Sequence, residues 1–247
     1  MQPEYAIKVE HVYKEFNLHR KSTTLKDYLT YHEKRDRSAI RQVLKDINFE
    51  VKKGEALGII GRNGSGKSTT LKLLSRILRP NSGTITMDGK VACLIELGAG
   101  FHPDMTGREN IYINASFFGI SKKEVDSRMQ EIIDFSGIGN YIDERIRNYS
   151  SGMYLRLAFS VAINVDADIL LIDEILAVGD VQFQQKCFDK LRQFKNKGGT
   201  IVLVTHSTEQ AKMFCDNVLW LEDGIAKEYG PSAPVCEHYV KMMLNEG

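Results

Sequence analysis

The 247-residue chain has no apolar run long enough to cross a bilayer: its most continuous apolar stretches, Ile169–Ile172 and Ile201–Val204, fall far short of the ~20 residues a spanning helix needs. Its first residues, Met1-Gln2-Pro3-Glu4-Tyr5, lack a basic region followed by an apolar core, so a secretory signal is not expected and the cytosol is the expected compartment. Cysteine is sparse. Cys93, Cys187, Cys215 and Cys236 show no C-x-x-C spacing, which argues against a zinc site or a redox pair and for reduced structural thiols. Charge of one sign is also lacking: 33 Lys plus Arg oppose 32 Asp plus Glu, for a formal net charge of +1, which gives no support to a strongly nucleic-acid-binding domain. No internal repeat or low-complexity segment is visible. A chain of this length can bury a sizeable core as one large α/β domain or two small ones.

The most informative stretch is Gly61-Arg62-Asn63-Gly64-Ser65-Gly66-Lys67-Ser68, which matches G-x-x-x-x-G-K-[ST] directly after the apolar run Ala56-Leu57-Gly58-Ile59-Ile60. Glycines let successive backbone N–H groups curl around phosphates. Lys67 then reaches the β and γ phosphates and Ser68 offers a hydroxyl to Mg²⁺. Residues Thr69 to Leu78 read as the following helix, whose positive N-terminus points at the anion. A strand, a glycine loop and a helix in this order predict a nucleoside triphosphate site.

Residues Ile7 to Phe16 and Ile47 to Val51 alternate apolar and polar side chains and predict half-buried strands, an antiparallel edge leading into a parallel core. The apolar runs at 169–172 and 201–204, separated by helical patterns such as Phe183 to Lys195, read as βαβ units. Between about 106 and 165 the periodicity turns helical, with a capping box at Ser121-Lys122-Lys123-Glu124 and an apolar face at Val125, Met129, Ile132 and Ile133, so a helical subdomain is expected. Residues 19–41 carry Arg20, Lys21, Lys34, Arg35, Arg37 and Arg41 interleaved with Leu25, Tyr28, Leu29 and Tyr31. They read equally as an amphipathic docking or membrane-facing insertion and as a solvated surface segment.

Beyond the loop, Ile169-Leu170-Leu171-Ile172-Asp173-Glu174 is an apolar strand ending in two carboxylates, at the sheet edge where ligands of parallel sheets bind. Asp173 is the candidate for the Mg²⁺ shell and Glu174 for the general base that polarises the attacking water. After the strand at 201–204 comes Thr205-His206-Ser207, where His206 is placed to sense the γ-phosphate. Tyr149-Ser150-Ser151-Gly152-Met153 opens a helical run, so its hydroxyls and backbone N–H groups form an anion site at a helix N-terminus.

Taken in order along nearly the whole chain, the phosphate loop, the segment at 149–153, the strand ending in Asp173-Glu174, the turn Ala177-Val178-Gly179-Asp180 and His206 resemble the ATP-binding cassette family of transporter ATPases. The resemblance implies a single cassette over 1–247: α/β, a P-loop domain with a RecA-like parallel sheet core, an antiparallel β edge and an inserted helical subdomain. It implies ATP held with Mg²⁺ by Gly61, Asn63, Gly64, Ser65, Gly66, Lys67, Ser68 and Thr69, with Asp180 and Ser150, Ser151 and Gly152 among the nucleotide-contacting residues. In the family the signature pentapeptide is usually Leu-Ser-Gly-Gly-Gln and serves the nucleotide held by the other subunit; here Ser150 and Gly152 match while Tyr149, Ser151 and Met153 depart. An aromatic residue should stack on adenine, and Phe16 fits best, with Tyr13 as runner-up. The family's glutamine between the loop and the helical subdomain is missing, and Glu96 is its candidate replacement as a Mg²⁺ contact.

Leu97-Gly98-Ala99-Gly100-Phe101, Thr106-Gly107-Arg108-Glu109-Asn110, the Tyr149 segment and Ala177-Val178-Gly179-Asp180, with the insertion before Val43, look like the branch that exports lipid-linked cell-surface polysaccharide such as O-antigen or teichoic acid. The branch implies two ATPase subunits, as a homodimer, bound to two integral membrane permease subunits at the cytoplasmic face of the inner membrane, with a lipid-linked glycan as cargo and no nucleic acid. Phe101, His102 and the insertion at 19–41 are candidates for coupling to the permease subunits or approaching lipid head groups. Some members carry a C-terminal carbohydrate-binding domain, for which a chain ending at Gly247 is expected to leave no room. Two other readings are an ATPase for another cargo, such as lipid or drug, and a soluble cassette working on ribosomes or DNA. The branch motifs argue against the first, the single set of motifs against the second.

Overall fold

The computed structural model describes residues 4–17, 40–94, 97–173 and 179–245. The strands among the described residues are β1 (Tyr5–Asn17), β2 (Ile40–Lys52), β3 (Ala56–Ile60), β4 (Ser82–Met87), β5 (Val91–Leu94), β6 (Ile169–Asp173), β7 (Thr200–Val204), β8 (Asn217–Glu222) and β9 (Ile225–Pro231). The helices are α1 (Lys67–Leu74), α2 (Gly107–Phe117), α3 (Lys122–Ser136), α4 (Ser151–Ile163), α5 (Val181–Asn196), α6 (Thr208–Phe214) and α7 (Ser232–Asn245), with short 3₁₀ turns at Gly139–Asp143 and Ile146–Asn148. Among the described residues no helix is long and apolar enough to cross a membrane.

The strands form two sheets. The core sheet runs β5-β6-β7-β3-β8-β9, parallel from β5 to β8 and antiparallel at β8–β9. Its central strands are apolar along most of their length because both faces are covered, as parallel sheets require. In β6, Leu170 and Ile172 enter one core with Phe159, Phe183 and Trp220, while Ile169 and Leu171 enter a second with Ile7, Leu44, Leu71 and Leu74. The antiparallel strands expected beside the parallel core are present and make a layer of their own, β2-β1-β4, joined to it through that second core.

Helix α1 starts two residues earlier than the sequence pattern suggests and stops at Leu74, short of Leu78. Arg76 takes left-handed backbone (φ 60°), and the Leu78 N–H turns back to the Lys72 carbonyl at 3.0 Å. The helical region carries two capping boxes: the expected Ser121/Glu124 pair starts α3, and Thr106 and Glu109 do the same for α2. Helix α4 is apolar around most of its circumference because it serves two cores. Leu157 and Val161 pack with Ile111, Val125, Ile132 and Ile133, while Phe159, Ala162 and Ile163 pack on the core sheet. The segment at Ser150 is thereby tied to both the helical region and the sheet.

Candidate functional site

The phosphate loop leaves the C-terminal end of β3, the central strand of the core sheet, and returns as α1. Two glycines are enforced by the fold. Gly61 has φ 148° beside the Leu221 carbonyl, and any Cβ there would overlap that oxygen. Gly66 is the N-cap of α1 at φ 110°, and a Cβ would sit 2.5 Å from the Leu44 Cδ2 methyl. Lys67 is buried, and its ammonium donates to the Gly61 carbonyl at 2.7 Å and the Arg62 carbonyl at 3.0 Å, so its charge is drawn inward across the loop. Ser68 is exposed at the start of the helix, while Thr70 Oγ1 donates back to the Gly66 carbonyl at 3.0 Å. Ser65 is also buried, and its Oγ has no hydrogen-bond partner. A buried hydroxyl of this kind, in a loop of inward-facing polar groups, fits a cradle built for an oxyanion.

The loop forms the floor of an open pocket of about 650 Å³ that gathers Asn63, Gly64, Gly66, Lys67, Ser68 and Thr69 with Phe16 of β1, Val204 at the end of β7 and His206 just beyond it. Three distant parts of the sequence thus meet at one sheet edge. Tyr13 pairs with Ser82 of β4 and does not line the pocket; Phe16 does, with the Lys14 ammonium 5.2 Å from its ring centroid. Asp173 ends β6 opposite Val204 of β7, half-buried. Its carboxylate and the Ser68 hydroxyl are hard oxygen donors of the kind Mg²⁺ takes, usually with substrate phosphates and water completing the shell. The described residues contain no group of three or more His, Cys, Asp or Glu side chains able to hold a metal by themselves. Glu96 and Glu174 lie outside the described residues.

Sequence reasoning did not place two walls of this pocket. Arg41, Gln42, Val43 and Lys45 of β2 form one wall, and Asp223 and Gly224, the turn between β8 and β9, form another. The Lys45 N–H donates to the Gly224 carbonyl at 2.7 Å and closes that side. Arg41 and Lys45 add cationic side chains to the wall facing the loop. Arg41 was legible only as one charge of a basic segment; its position follows from the pairing of β2 with β1, where Arg41 sits opposite Phe16.

The remaining candidates lie off this pocket. Ser150 caps α4, its Oγ accepting from the Met153 N–H at 3.2 Å, with Ser151 and Gly152 in the first turn. Asp180 caps α5, accepting from the Phe183 N–H at 2.9 Å, and pairs with Arg156 of α4 at 2.7 Å. The Arg156 guanidinium also lies 5.5 Å from the centroid of the Phe183 ring. The segment at 150–152 and the turn at Asp180 are therefore linked to each other through α4, and neither lines the pocket over the loop. Phe101 stacks edge-on against Tyr154 at 5.2 Å, and the His102 N–H donates to Asn110 Oδ1 of α2 at 2.6 Å.

Comparison with known proteins agrees with this fold. The sequence profile of the family described as ABC transporter matches residues 44–177. An O-antigen export system ATP-binding protein RfbB from Klebsiella pneumoniae is 47% identical over 242 residues, covering 96% of this chain and 98% of the relative. A teichoic acids export ATP-binding protein TagH from Levilactobacillus brevis is 43% identical over 97% of this chain and 66% of its own length. Among solved structures, an ATP binding subunit of an ABC transporter superposes with a TM-score of 0.75 at 22% identity, covering 95% of this chain and 93% of its own. The dimeric ATP-binding cassette MJ0796 in a post-hydrolysis state bound to ADP and Pi does so with a TM-score of 0.72, also at 22% identity, covering 92% of this chain and 98% of its own. On its motifs, its fold and these relatives, the chain belongs to the ABC transporter family.

Proposed function

We propose that this chain is the ATP-hydrolysing subunit of an exporter of lipid-linked cell-surface glycan, of the O-antigen or teichoic acid kind. The observation that carries the reading is the pocket itself, where the phosphate loop, the Phe16 ring and His206 converge at the C-terminal ends of parallel strands. The names of the relatives support the cargo class. In this reading residues 1–247 form one cassette, peripheral to the cytoplasmic face of the membrane and docked on integral membrane permease subunits, with residues 106–165 as its helical part.

Each side chain then has a defined task. The loop N–H groups and Lys67 hold the phosphates, Phe16 stacks on the base, and Ser68 with Asp173 would hold Mg²⁺, which neutralises charge on the transferring phosphoryl group. Glu174 takes the proton of the attacking water, so that ATP and water become ADP and phosphate, and His206 contacts the γ-phosphate. Since Ser150–Gly152 and Asp180 sit away from the pocket of their own chain, they act on the nucleotide of a second cassette placed head to tail. ATP shared by both halves favours the closed dimer, and loss of the γ-phosphate releases it, which moves the attached permease subunits.

The test is ATP hydrolysis by the parent and by Glu174→Gln, with sizing in ATP and Mg²⁺. Turnover in the parent and a trapped dimer without turnover in the variant are expected. Normal steady-state hydrolysis by Glu174→Gln removes Glu174 as the base. A nucleotide-binding curve for Lys67→Ala that matches the parent removes this loop as the phosphate site.

A further inference from the structure

The C-terminal helix α7 presents Val235, Cys236, Tyr239, Met242 and Met243 at the three- and four-residue spacing of one helix face. The stripe begins deep: Val235 and Cys236 are buried in the core that contains Trp220, and the Tyr239 ring meets Trp220 edge-on at 5.4 Å. Trp220 lies in register with Ile60, the residue immediately before the phosphate loop. The other end of the stripe leaves the core and meets Arg62. Its Nε donates to the Met243 Sδ at 3.1 Å, and its Nη2 lies 4.0 Å from the Met242 Sδ.

Arg62 is also the residue on which the loop closes. Its carbonyl accepts the Lys67 ammonium at 3.0 Å and the Ser65 N–H at 3.2 Å. Its side chain, by contrast, does not line the nucleotide pocket, although the next residues, Asn63 and Gly64, do. A guanidinium suits this seat because it is planar, weakly hydrated and able to lie against polarisable thioethers, which adapt to its shape. The same residue is therefore held at its backbone by the loop and at its side chain by a helix about 180 positions away.

We propose that Arg62 is a positioning residue of the phosphate loop and that the Met242 and Met243 thioethers of the C-terminal helix are its anchor, so that nucleotide affinity depends on how this helix is seated. The inference rests on the nucleotide-site reading above. It assigns α7 a role in the site without contact with the ligand: it fixes the Arg62 backbone, and through it the carbonyl that orients Lys67.

The test is a double-mutant cycle in the full chain, with Arg62→Ala, the pair Met242→Ala with Met243→Ala, and all three together. A non-hydrolysable ATP analogue with Mg²⁺ gives Kd, and ATP turnover gives kcat and KM. Each arm should raise Kd and KM by about twofold to fivefold, the low end of a hydrogen bond's weight because a thioether is a weak acceptor, with kcat unchanged. The triple variant should bind no more weakly than Arg62→Ala alone, because the anchor has nothing left to hold. Leu244→Ala, exposed on the same helix and off the stripe, should leave Kd unchanged. If the alanine pair fails to fold, Met242→Leu with Met243→Leu keeps the volume, removes the sulfurs and should move Kd in the same direction. Full additivity of the two arms, an unchanged Kd, or a fall in kcat with Kd unmoved overturns the anchor. An unchanged Kd in Lys67→Ala overturns the nucleotide site itself, whereas loss of binding there with no effect of the Arg62 and methionine variants overturns only this inference.

Discussion

Replacing Gly66 with alanine tests whether the phosphate loop is held by backbone geometry. Both Gly64 and Gly66 have positive φ, 80° and 110°, but their surroundings differ. A Cβ on Gly64 meets nothing within 4 Å, whereas one on Gly66 falls 2.5 Å from Leu44 Cδ2 and 3.2 Å from the Val43 carbonyl. Gly64→Ala therefore incurs only the left-handed backbone cost of roughly 1–2 kcal/mol. Gly66→Ala adds the overpacking of a fully buried leucine, about 1–3 kcal/mol, for a total of roughly 2–5 kcal/mol. At about 2–4 °C per kcal/mol for a chain of this size, thermal unfolding without nucleotide should place Gly66→Ala several degrees below Gly64→Ala. Trimming Leu44 to alanine in the Gly66→Ala background should recover part of that gap even though Leu44→Ala alone destabilises. Equal melting temperatures for the two glycine variants would refute the claim that Leu44 of β2 packs against the loop.

Three further outcomes follow from the same coordinates. Phe16→Ala should weaken ATP binding by the worth of one base stacked on an aromatic ring, about 1–3 kcal/mol, while Phe16→Trp retains it; equilibrium binding with Tyr13→Ala as comparison decides, and a larger loss from Tyr13→Ala would reverse the assignment. Burial pushes the Cys187 and Cys215 thiols up to about 12 and raises that of Cys236, whereas Cys93 is only half-buried, so a thiol reagent on the native protein should label Cys93 first and the other three only on unfolding. The capping carboxyls Glu109 and Glu124 lie below the ordinary 4.5, held there by hydrogen bonds from the Thr106 backbone and side chain and from the Ser121 side chain and backbone. A depressed folded value means their contribution is present above the ordinary value and lost as pH falls through the folded one. Helical content should drop on acidification below about pH 4.5, and less so in Thr106→Ala with Ser121→Ala, whose boxes are already open.

The elements that read clearly in the sequence are those whose reason for existing is local. The phosphate loop is a contiguous pattern of glycines and a lysine; β3, β6 and β7 are unbroken apolar runs because both faces are covered; and Ser121 with Glu124 announces α3 by a reciprocal cap. The strands β4 and β9 were harder to see because most of their residues face solvent, and the weak alternation of β9 becomes a strand only when β8 supplies its partner. Asp180 is expected among the nucleotide-contacting residues from the order of motifs, and the structure adds what that order does not show: its carboxylate caps α5 and pairs with Arg156.

The chemistry was thus written in short segments, since phosphate binding, metal ligation and capping each need particular residue types at fixed, small spacings. How those segments share one pocket depends on chain pairing over long separations. Strand order brings Lys67 and His206 to one edge, the packing of the β2-β1-β4 layer adds Phe16, the β1–β2 register sets Arg41 opposite Phe16, and the seat of α7 brings Met243 to Arg62 across 181 positions. No local pattern encodes these meetings, because each is fixed by the packing of the sheets and helices as a whole.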